Sequence, residues 1–562
     1  MSGLLATYEW GQLPWRQLEV AVFKLQKRIY RASQAGEVRR VHRLQRLLLK
    51  SRAAKWLAVR RVTQDNQGKH TAGVDGIKSL TPKQRVAVAE QLTILPIGQP
   101  ARRIWIPKPG KNEQRPLSIP TLYDRVRQAL VKQAMEPEWE AKFEPNSYGF
   151  RPGRSVHDAI GAIYTAINKT PKYALDADIA KCFDRIDQEA LLRKMGTFPT
   201  LQRLIKRWLK AGVIDNGVFH ETERGTPQGS VLSPLLANIA LHGLETHLRR
   251  QFPIQRTEKE AGAQRFWNWK PQVIRYADDL VILHRDKTAI ERCQRLAADW
   301  LAEMGLELSP SKTRIAHTLH PEGGQAGFNF LGFQIRHYRA SRYNTAQGRG
   351  FKTLIKPSQD AIKRHYRRLA ETISHNKAAR QENLIGLLNP MIAGWSHYYR
   401  AVVSKDIFQT MDQKLFNRLV RWARFRHPKK SWHWLTNRYW KSNATNGWVF
   451  TASRGLTLNQ HGSVPIIRHV KVKGSASPYD GNWSYWATRR GRYPGVTNRM
   501  AKLLKRQQGR CQACGLVLMP DVLVETHHLD GDHNNNRYAN LAAVHRHCHD
   551  QIHGRRQQHP NS

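Results

Sequence analysis

The string Tyr276-Ala277-Asp278-Asp279 sets two adjacent carboxylates between apolar flanks, Val273-Ile274 before it and Leu280-Val281-Ile282-Leu283 after it. That layout predicts a hairpin whose tight turn presents both acids. Paired carboxylates in a buried setting repel one another, and they persist where a divalent cation compensates them. Mg²⁺ favours hard oxygen ligands shared with substrate phosphates. A solvated turn would carry the same four letters, so the motif takes its meaning from what accompanies it. Upstream, Asp176-Ala177-Asp178-Ile179-Ala180-Lys181-Cys182-Phe183-Asp184 places further carboxylates at the end of a predicted strand, where a third ligand for the same metal can arise. A second constellation lies near the C-terminus. Two residues separate Cys511 from Cys514, and His545-Arg546-His547-Cys548 follows. Such gaps let paired ligands grip one tetrahedral ion, so Cys511, Cys514, His545 and Cys548 read as a structural zinc site with every position filled by protein. His527, His528, His549 and His553 exceed what that site needs. His549 and His553 fall on one face of a helix.

The elements that must position these groups are legible in the periodicity. Residues 15–61 repeat apolar positions at helical spacing (Leu18, Val22, Leu25, Ile29, then Leu44, Leu47, Leu48) between basic residues, which predicts a basic helical N-terminal extension. A turn-rich stretch, Asp65 to Gly76, follows. Arg102 to Arg127 is basic and punctuated by Pro107, Pro109, Gly110 and Pro116, which suits a hairpin. Tyr173 to Ile179 and Val273 to Leu283 have strand character. From Asp360 to about Tyr439 helical spacing returns, with Pro390 marking a helix start or a kink. Residues 441–500 are rich in Gly, Ser, Asn, Arg and Trp without periodicity, and a compact terminal module begins near Arg510.

At 562 residues the chain calls for several cores. Lys and Arg number 92 against 43 Asp and Glu, a formal net charge of +49 that requires a polyanionic partner. A ribosome-like or histone-like basic protein would share that charge. The 17 Trp and 40% hydrophobic content suit folded cores and stacking surfaces better. The N-terminus lacks a basic segment followed by an apolar run, and the most apolar stretch, Val231 to Leu241, is too short to span a bilayer. The expected setting is intracellular, in the cytoplasm or nucleoid, without a membrane partner.

The carboxylate strings have company in a fixed order: Ile106-Pro107-Lys108-Pro109-Gly110 with Arg115-Pro116-Leu117-Ser118-Ile119-Pro120, then Ser147 to Ser155, then Arg224-Gly225-Thr226-Pro227-Gln228-Gly229-Ser230, then Gly305 to Arg314 and Phe330-Leu331-Gly332-Phe333. Together they resemble the reverse transcriptase region of the multifunctional proteins encoded by mobile group II introns. The resemblance implies a right-hand polymerase within a multidomain α+β chain. It assigns Asp178, Ile179, Asp278 and Asp279 to Mg²⁺, with Asp178, Asp278 and Asp279 catalytic, and leaves Asp176 and Asp184 structural. One ion would activate the primer 3′-hydroxyl and the other would hold the triphosphate. Lys108 and Arg115 would meet the incoming dNTP, Phe183 would screen its sugar 2′ position, Gln228 would lie at the nucleotide, and Lys312 would lie near the primer terminus. Ala277 in the variable position of the motif and the aromatic Phe183 favour DNA synthesis over RNA synthesis.

Ile392-Ala393-Gly394-Trp395-Ser396-His397-Tyr398-Tyr399-Arg400 resembles the maturase (X) domain, the thumb of these proteins, which implies binding of intron RNA and assistance of its splicing. At helical spacing Trp395 and Tyr399 belong to a core. Arg421 to Lys430 interleaves bases and aromatics without an acid, a pattern suited to phosphates and stacking. The terminal region resembles an HNH endonuclease of ββα-metal type. That resemblance makes His527, His549 and His553 ligands of a nuclease ion, Mg²⁺ by expectation, His528 the general base, and Asn540 the residue that fixes the intervening loop. Asp530-Gly531-Asp532-His533 departs from relatives that carry Pro and paired Gly, and a purely structural zinc finger remains the alternative. The implied order is an N-terminal extension with the start of the fingers (1–95), fingers and palm (96–345), thumb (346–440), a basic DNA-binding connector (441–504) and the HNH module (505–562). Nicking of a DNA target would supply the 3′-hydroxyl from which intron RNA is copied. A retron-type enzyme, a splicing cofactor with vestigial sites and a homing nuclease on an RNA-binding platform are the competing classes.

Overall fold

The computed structural model describes residues 9–558 apart from 96, 108–112, 261–262, 323, 342, 344, 346–347, 444–446, 454, 483–484, 487–488, 490–496 and 519–521. The amphipathic N-terminal repeats form helices Trp15–Gln34, Val38–Lys50 and Arg52–Arg60. Their apolar stripes (Leu18, Val22, Ile29, Leu44, Leu48) pack with Val126, Leu130 and Ala134 of the long helix Leu122–Lys142 in one core. That helix starts where Thr121 accepts a hydrogen bond from the Asp124 backbone N–H. The hairpin predicted for Arg102 to Arg127 therefore ends early. Its strands are Ala101–Pro107 and Gln114–Ile119, antiparallel with Ile106 opposite Arg115.

A four-stranded antiparallel sheet carries the acidic strings, in the order Arg314–His317, Tyr173–Asp178, Asp279–His284, Gln272–Tyr276. Alternate side chains leave it on opposite faces. Ala174, Val281 and Leu283 meet Ile160 and Ile163 of helix Val156–Ile167 on one face, while Leu175, Leu280 and Ile282 meet Ile290, Cys293 and Ala297 of helix Lys287–Ala302 on the other. Cover on both faces is why the flanks of the acidic turn read as unbroken apolar runs.

Next comes the three-stranded sheet Phe328–Phe330, Phe333–Arg339, Phe351–Pro357. Leu331 and Gly332, with φ of 51° and 85°, make the two-residue connection typical of a type I′ hairpin. Because Phe351–Pro357 pairs with Phe333–Arg339 residue for residue, the predicted boundary at 345/346 cuts this sheet. The helical region proper starts at Gln359, after the Ser358 cap. Helices Gln359–His375, Gln381–Tyr399, Lys405–Arg426 and Trp432–Tyr439 close on Leu369, Leu384, Leu388, Ile392, Met411, Leu415, Leu419 and Trp422. Pro390 lies inside Gln381–Tyr399, not at its start. Tyr399 is buried and Trp395 packs against two cores.

The aperiodic stretch after Tyr439 is held by single contacts. Trp440–Asn443 pairs with Gly447–Phe450. Farther on, Asp158 Oδ1 accepts from the Val472 backbone N–H at 2.7 Å and lies 3.0 Å from His469 Nε2. Arg154 donates to the carbonyls of Gly474 and Ala476, and the Tyr479 hydroxyl donates to Glu136 at 2.8 Å. Residues 469–479 thus strap helices Leu122–Lys142 and Val156–Ile167. Helix Asn498–Arg506 buries Leu503 and Leu504 among Leu541, Ala542, Ala543 and Val544, so the terminal core includes residues before the predicted boundary at 505. In that core Val524–His528 pairs antiparallel with Leu541–His545, and helix Arg546–Gln558 follows. Among the described residues, no helix is long and apolar enough to cross a membrane.

Candidate active site and metal centres

Asp178 ends its strand as the Cα partner of Asp279. Asp278 sits in the adjoining turn beside Ala277, whose φ of 57° is unusual for a residue other than glycine. The three predicted carboxylates therefore meet at one end of the sheet. Burial pushes Asp279 up to about 7, and Asp278, Asp178 and Asp176 push the same way against Lys312. Burial also raises Asp278, with Asp178 adding to it and the charges of Arg115 and Lys312 opposing it. Oxygen donors this short of positive charge are the hard, anionic set that Mg²⁺ takes. Lys312 Nζ donates to Asp178 Oδ2. The Ile179 backbone N–H donates to the Asp278 carbonyl at 3.2 Å, so its main chain borders the site. Asp176 faces Arg314 Nε at 3.3 Å, which fits a structural part. Lys108 lies outside the described residues.

Phe183 is half-buried in the short helix Cys182–Arg185. Its carbonyl accepts from the Thr226 backbone N–H at 2.6 Å, while the Gln228 carbonyl accepts from the Ser118 N–H of the fingers hairpin at 2.5 Å. Gly225, at φ 80°, lies so close to Phe183 and Asp184 that a Cβ would overlap their backbone. The Arg224 to Ser230 block thus ties the palm to the fingers. The Gln228 side chain reaches Asp184 Oδ1 at 3.5 Å.

Two positioning residues escaped sequence reasoning. Arg275 is buried behind the acidic turn and donates to the Ala277 carbonyl at 3.1 Å, Asn238 Oδ1 at 3.1 Å and Ser147 Oγ at 2.7 Å. Asn238 in turn donates to the Gly149 carbonyl at 2.8 Å. Gly149 presses on Tyr276 and Ala277, where a Cβ would collide with backbone. The usable signal was an arginine inside an otherwise apolar strand. Arg151 builds the fold nearby, forking onto Glu140 at 2.8 and 3.0 Å and capping the carbonyls of Glu144 and Ser147.

At the C-terminus, Cys511, Cys514, His545 and Cys548 bring one ligand atom each to within 4.8 Å of one another. Hydrogen bonds from Cys514 and Cys548 hold the Cys511 thiol far below its ordinary range. Burial pulls His545 down, but its bonds to Cys511 and Cys514 carry it up to about 9. Sulfur and imidazole donors of this kind suit a tetrahedral soft-to-borderline cation. His527, His549 and His553 form a second group within the same 4.8 Å limit. His528, next along the strand, turns to the other side and meets the His533 ring at 5.1 Å. Its Nε2 is buried without a hydrogen-bond partner among the described residues. Asn540 joins the loop ends: its Oδ1 accepts from the Asp530 N–H at 3.0 Å, and its Nδ2 donates to Asp530 Oδ1 and to the Asn535 carbonyl. Asp532 caps the Asn534 N–H at 2.8 Å within that loop.

Comparison with known proteins matches residues 106–335 to the reverse transcriptase (RNA-dependent DNA polymerase) family, residues 10–92 to the N-terminal domain of reverse transcriptase, and residues 362–440 to the group II intron maturase-specific domain. Protein YkfC of Escherichia coli (strain K12) is 34% identical over 334 residues, 54% of this chain and 85% of that protein. The chain belongs to the group II intron-encoded reverse transcriptase and maturase family. Within this family, the group II intron-encoded protein LtrA of Lactococcus lactis subsp. cremoris is 30% identical over 366 residues, 53% of this chain and 58% of its own length. The uncharacterized 91 kDa protein in the cob intron of Schizosaccharomyces pombe is 28% identical over 369 residues, 55% of this chain and 44% of that protein. The reverse transcriptase match takes in every carboxylate of the acidic site, and the maturase match takes in the helices Gln381–Tyr399 and Lys405–Arg426.

Proposed function

We propose that this chain copies group II intron RNA into DNA at Asp178, Asp278 and Asp279, binds that RNA to assist its splicing, and primes synthesis from a DNA target nicked by its C-terminal module. The observation that carries the polymerase reading is the meeting of Asp178 with Asp279 across paired strands, Asp278 in the turn beside them. Mg²⁺ held by these carboxylates and the Ile179 main chain would supply charge neutralisation for the primer oxygen and the triphosphate. Arg115 approaches from the fingers as a cation for the triphosphate, with Lys108 as its predicted companion and Gln228 beside the nucleotide. Lys312, already on Asp178, lies where the primer terminus would be. Phe183 screens the sugar. Residues 362–440 act as thumb and RNA-binding maturase, residues after Tyr439 as a DNA-contacting strap, and the net charge of +49 serves the phosphate backbones.

The same proposal assigns an HNH nuclease to the terminal hairpin and helix. His527, His549 and His553 fit a divalent ion, and Cys511, Cys514, His545 and Cys548 fit structural Zn²⁺. His528 stands apart from the ion group with a ring nitrogen that has no hydrogen-bond partner among the described residues, which leaves it available as a base that takes a proton from water. Asn540 holds the loop between the strands. Primer extension on an RNA template and nicking of a DNA target, both with Mg²⁺, test the division of labour. Asp278→Asn is expected to abolish synthesis and spare nicking, and His528→Ala the reverse. Loss of both activities together in folded variants would sink it.

A further inference from the structure

Phe150 combines features that core packing does not require. Its φ is +58°, a conformation bulky residues rarely adopt, and it remains 48% exposed. Backbone strain of this kind persists where the surroundings over-determine it, and it gathers at functional sites. The surroundings here are the acidic turn itself. Gly149 is pressed against Tyr276 and Ala277, and its carbonyl is held by Asn238, which shares Arg275 with the Ala277 carbonyl. Asn238 and Arg275 are both buried. The ring that this frame projects meets Phe183 edge to face, centroids 6.0 Å apart at 79°.

We infer that Phe150 is a positioning residue for sugar selection: it braces the Phe183 ring so that the ring stays against the 2′ position of the incoming nucleotide. The inference rests on the polymerase reading proposed above and adds that the metal-binding turn and the sugar screen hang on one rigid frame. Without the brace, Phe183 can swing away and admit a 2′-hydroxyl. The geometry predicts a change in selectivity, not simply in rate.

The test is primer extension by the full chain on an RNA template, comparing kcat/KM for dATP and ATP. Phe150→Gly suits the backbone, since glycine adopts this φ freely, so folding is not at risk. It is expected to lower the preference for dATP by about three- to tenfold, the scale of one aromatic edge contact, through a gain in ATP efficiency. Phe150→Ala should do the same, and Phe150→Tyr should restore the preference. Phe183→Ala should lose more, and adding Phe150→Gly to it should cost no further selectivity, because the two act through one ring. An unchanged preference in Phe150→Gly, or equal losses for both nucleotides, would overturn the inference while leaving an active polymerase. A wild-type chain that extends no primer would overturn the polymerase reading as well.

Discussion

Arg275 is a buried guanidinium whose acceptors, the Ala277 carbonyl, Asn238 Oδ1 and Ser147 Oγ, are all neutral. Burial lowers its pKa to about 10, which still leaves it charged at neutral pH. It therefore supplies a fixed positive charge and a rigid fork that holds the Ala277 main chain next to Asp278. A lysine carries the charge but not the fork. Arg275→Lys is expected to lower kcat of primer extension at least about tenfold, roughly 1.4 kcal/mol in barrier, with KM for dNTP little changed. A full-rate variant in single-turnover kinetics would refute that role. The acids were legible in the sequence because a charged pair between apolar runs is chemically odd and because the accompanying blocks keep their order. Arg275 and Asn238 were not, since each acts through contacts between segments far apart in the chain, and no local spacing encodes such a meeting.

At the scale of elements, amphipathic periodicity announced the N-terminal helices and those between Gln359 and Tyr439, and apolar flanks announced the central strands. The strap over residues 469–479 stayed illegible. It is fixed by isolated bonds to Glu136, Arg154 and Asp158, so it has no period to detect. The helices and sheets are also joined by buried histidines. Burial lowers His157 and His337 to about 4 and His365 to about 3. His365 stacks on Trp395 at 4.6 Å and lies 2.9 Å from His461, whose Nδ1 is 2.6 Å from Asp412, which links helices Gln359–His375, Gln381–Tyr399 and Lys405–Arg426 to the segment behind them. Below pH 6.5 the unfolded chain binds protons on these rings while the folded chain does not, until the pH reaches the folded values. Stability is therefore full above about pH 6.5 and falls as the pH drops towards 4, by up to about 1.4 kcal/mol per histidine per pH unit. Thermal denaturation at pH 7.0 and 5.5 should show the decline. His365→Gln should flatten it, and an unaltered slope in that variant would exclude His365 as a contributor.

Across the whole molecule, the first helices and the terminal module touch. The Gln551 side chain donates to the Gly11 carbonyl at 3.0 Å, and His547 Nε2 lies 3.4 Å from Glu19, which also holds Arg60. His547 stacks on His545, 4.8 Å between centroids, so this interface borders the Cys₃His group. Stripping metal with a chelator is expected to loosen the terminal hairpin and helix, to open trypsin sites there and along Trp15–Gln34, and to end nicking. Primer extension should return on adding Mg²⁺ alone. If the N-terminal helices kept their protease resistance after the terminal module had been lost, the two would not be coupled. The contact also sets an order of assembly. Gly11 is made 540 residues before Gln551. At ordinary translation speeds the face of the first helix that carries Glu19 waits roughly 30 to 110 s for its partner. During that interval the part of this surface that the terminal hairpin and helix will later cover stays open to solvent.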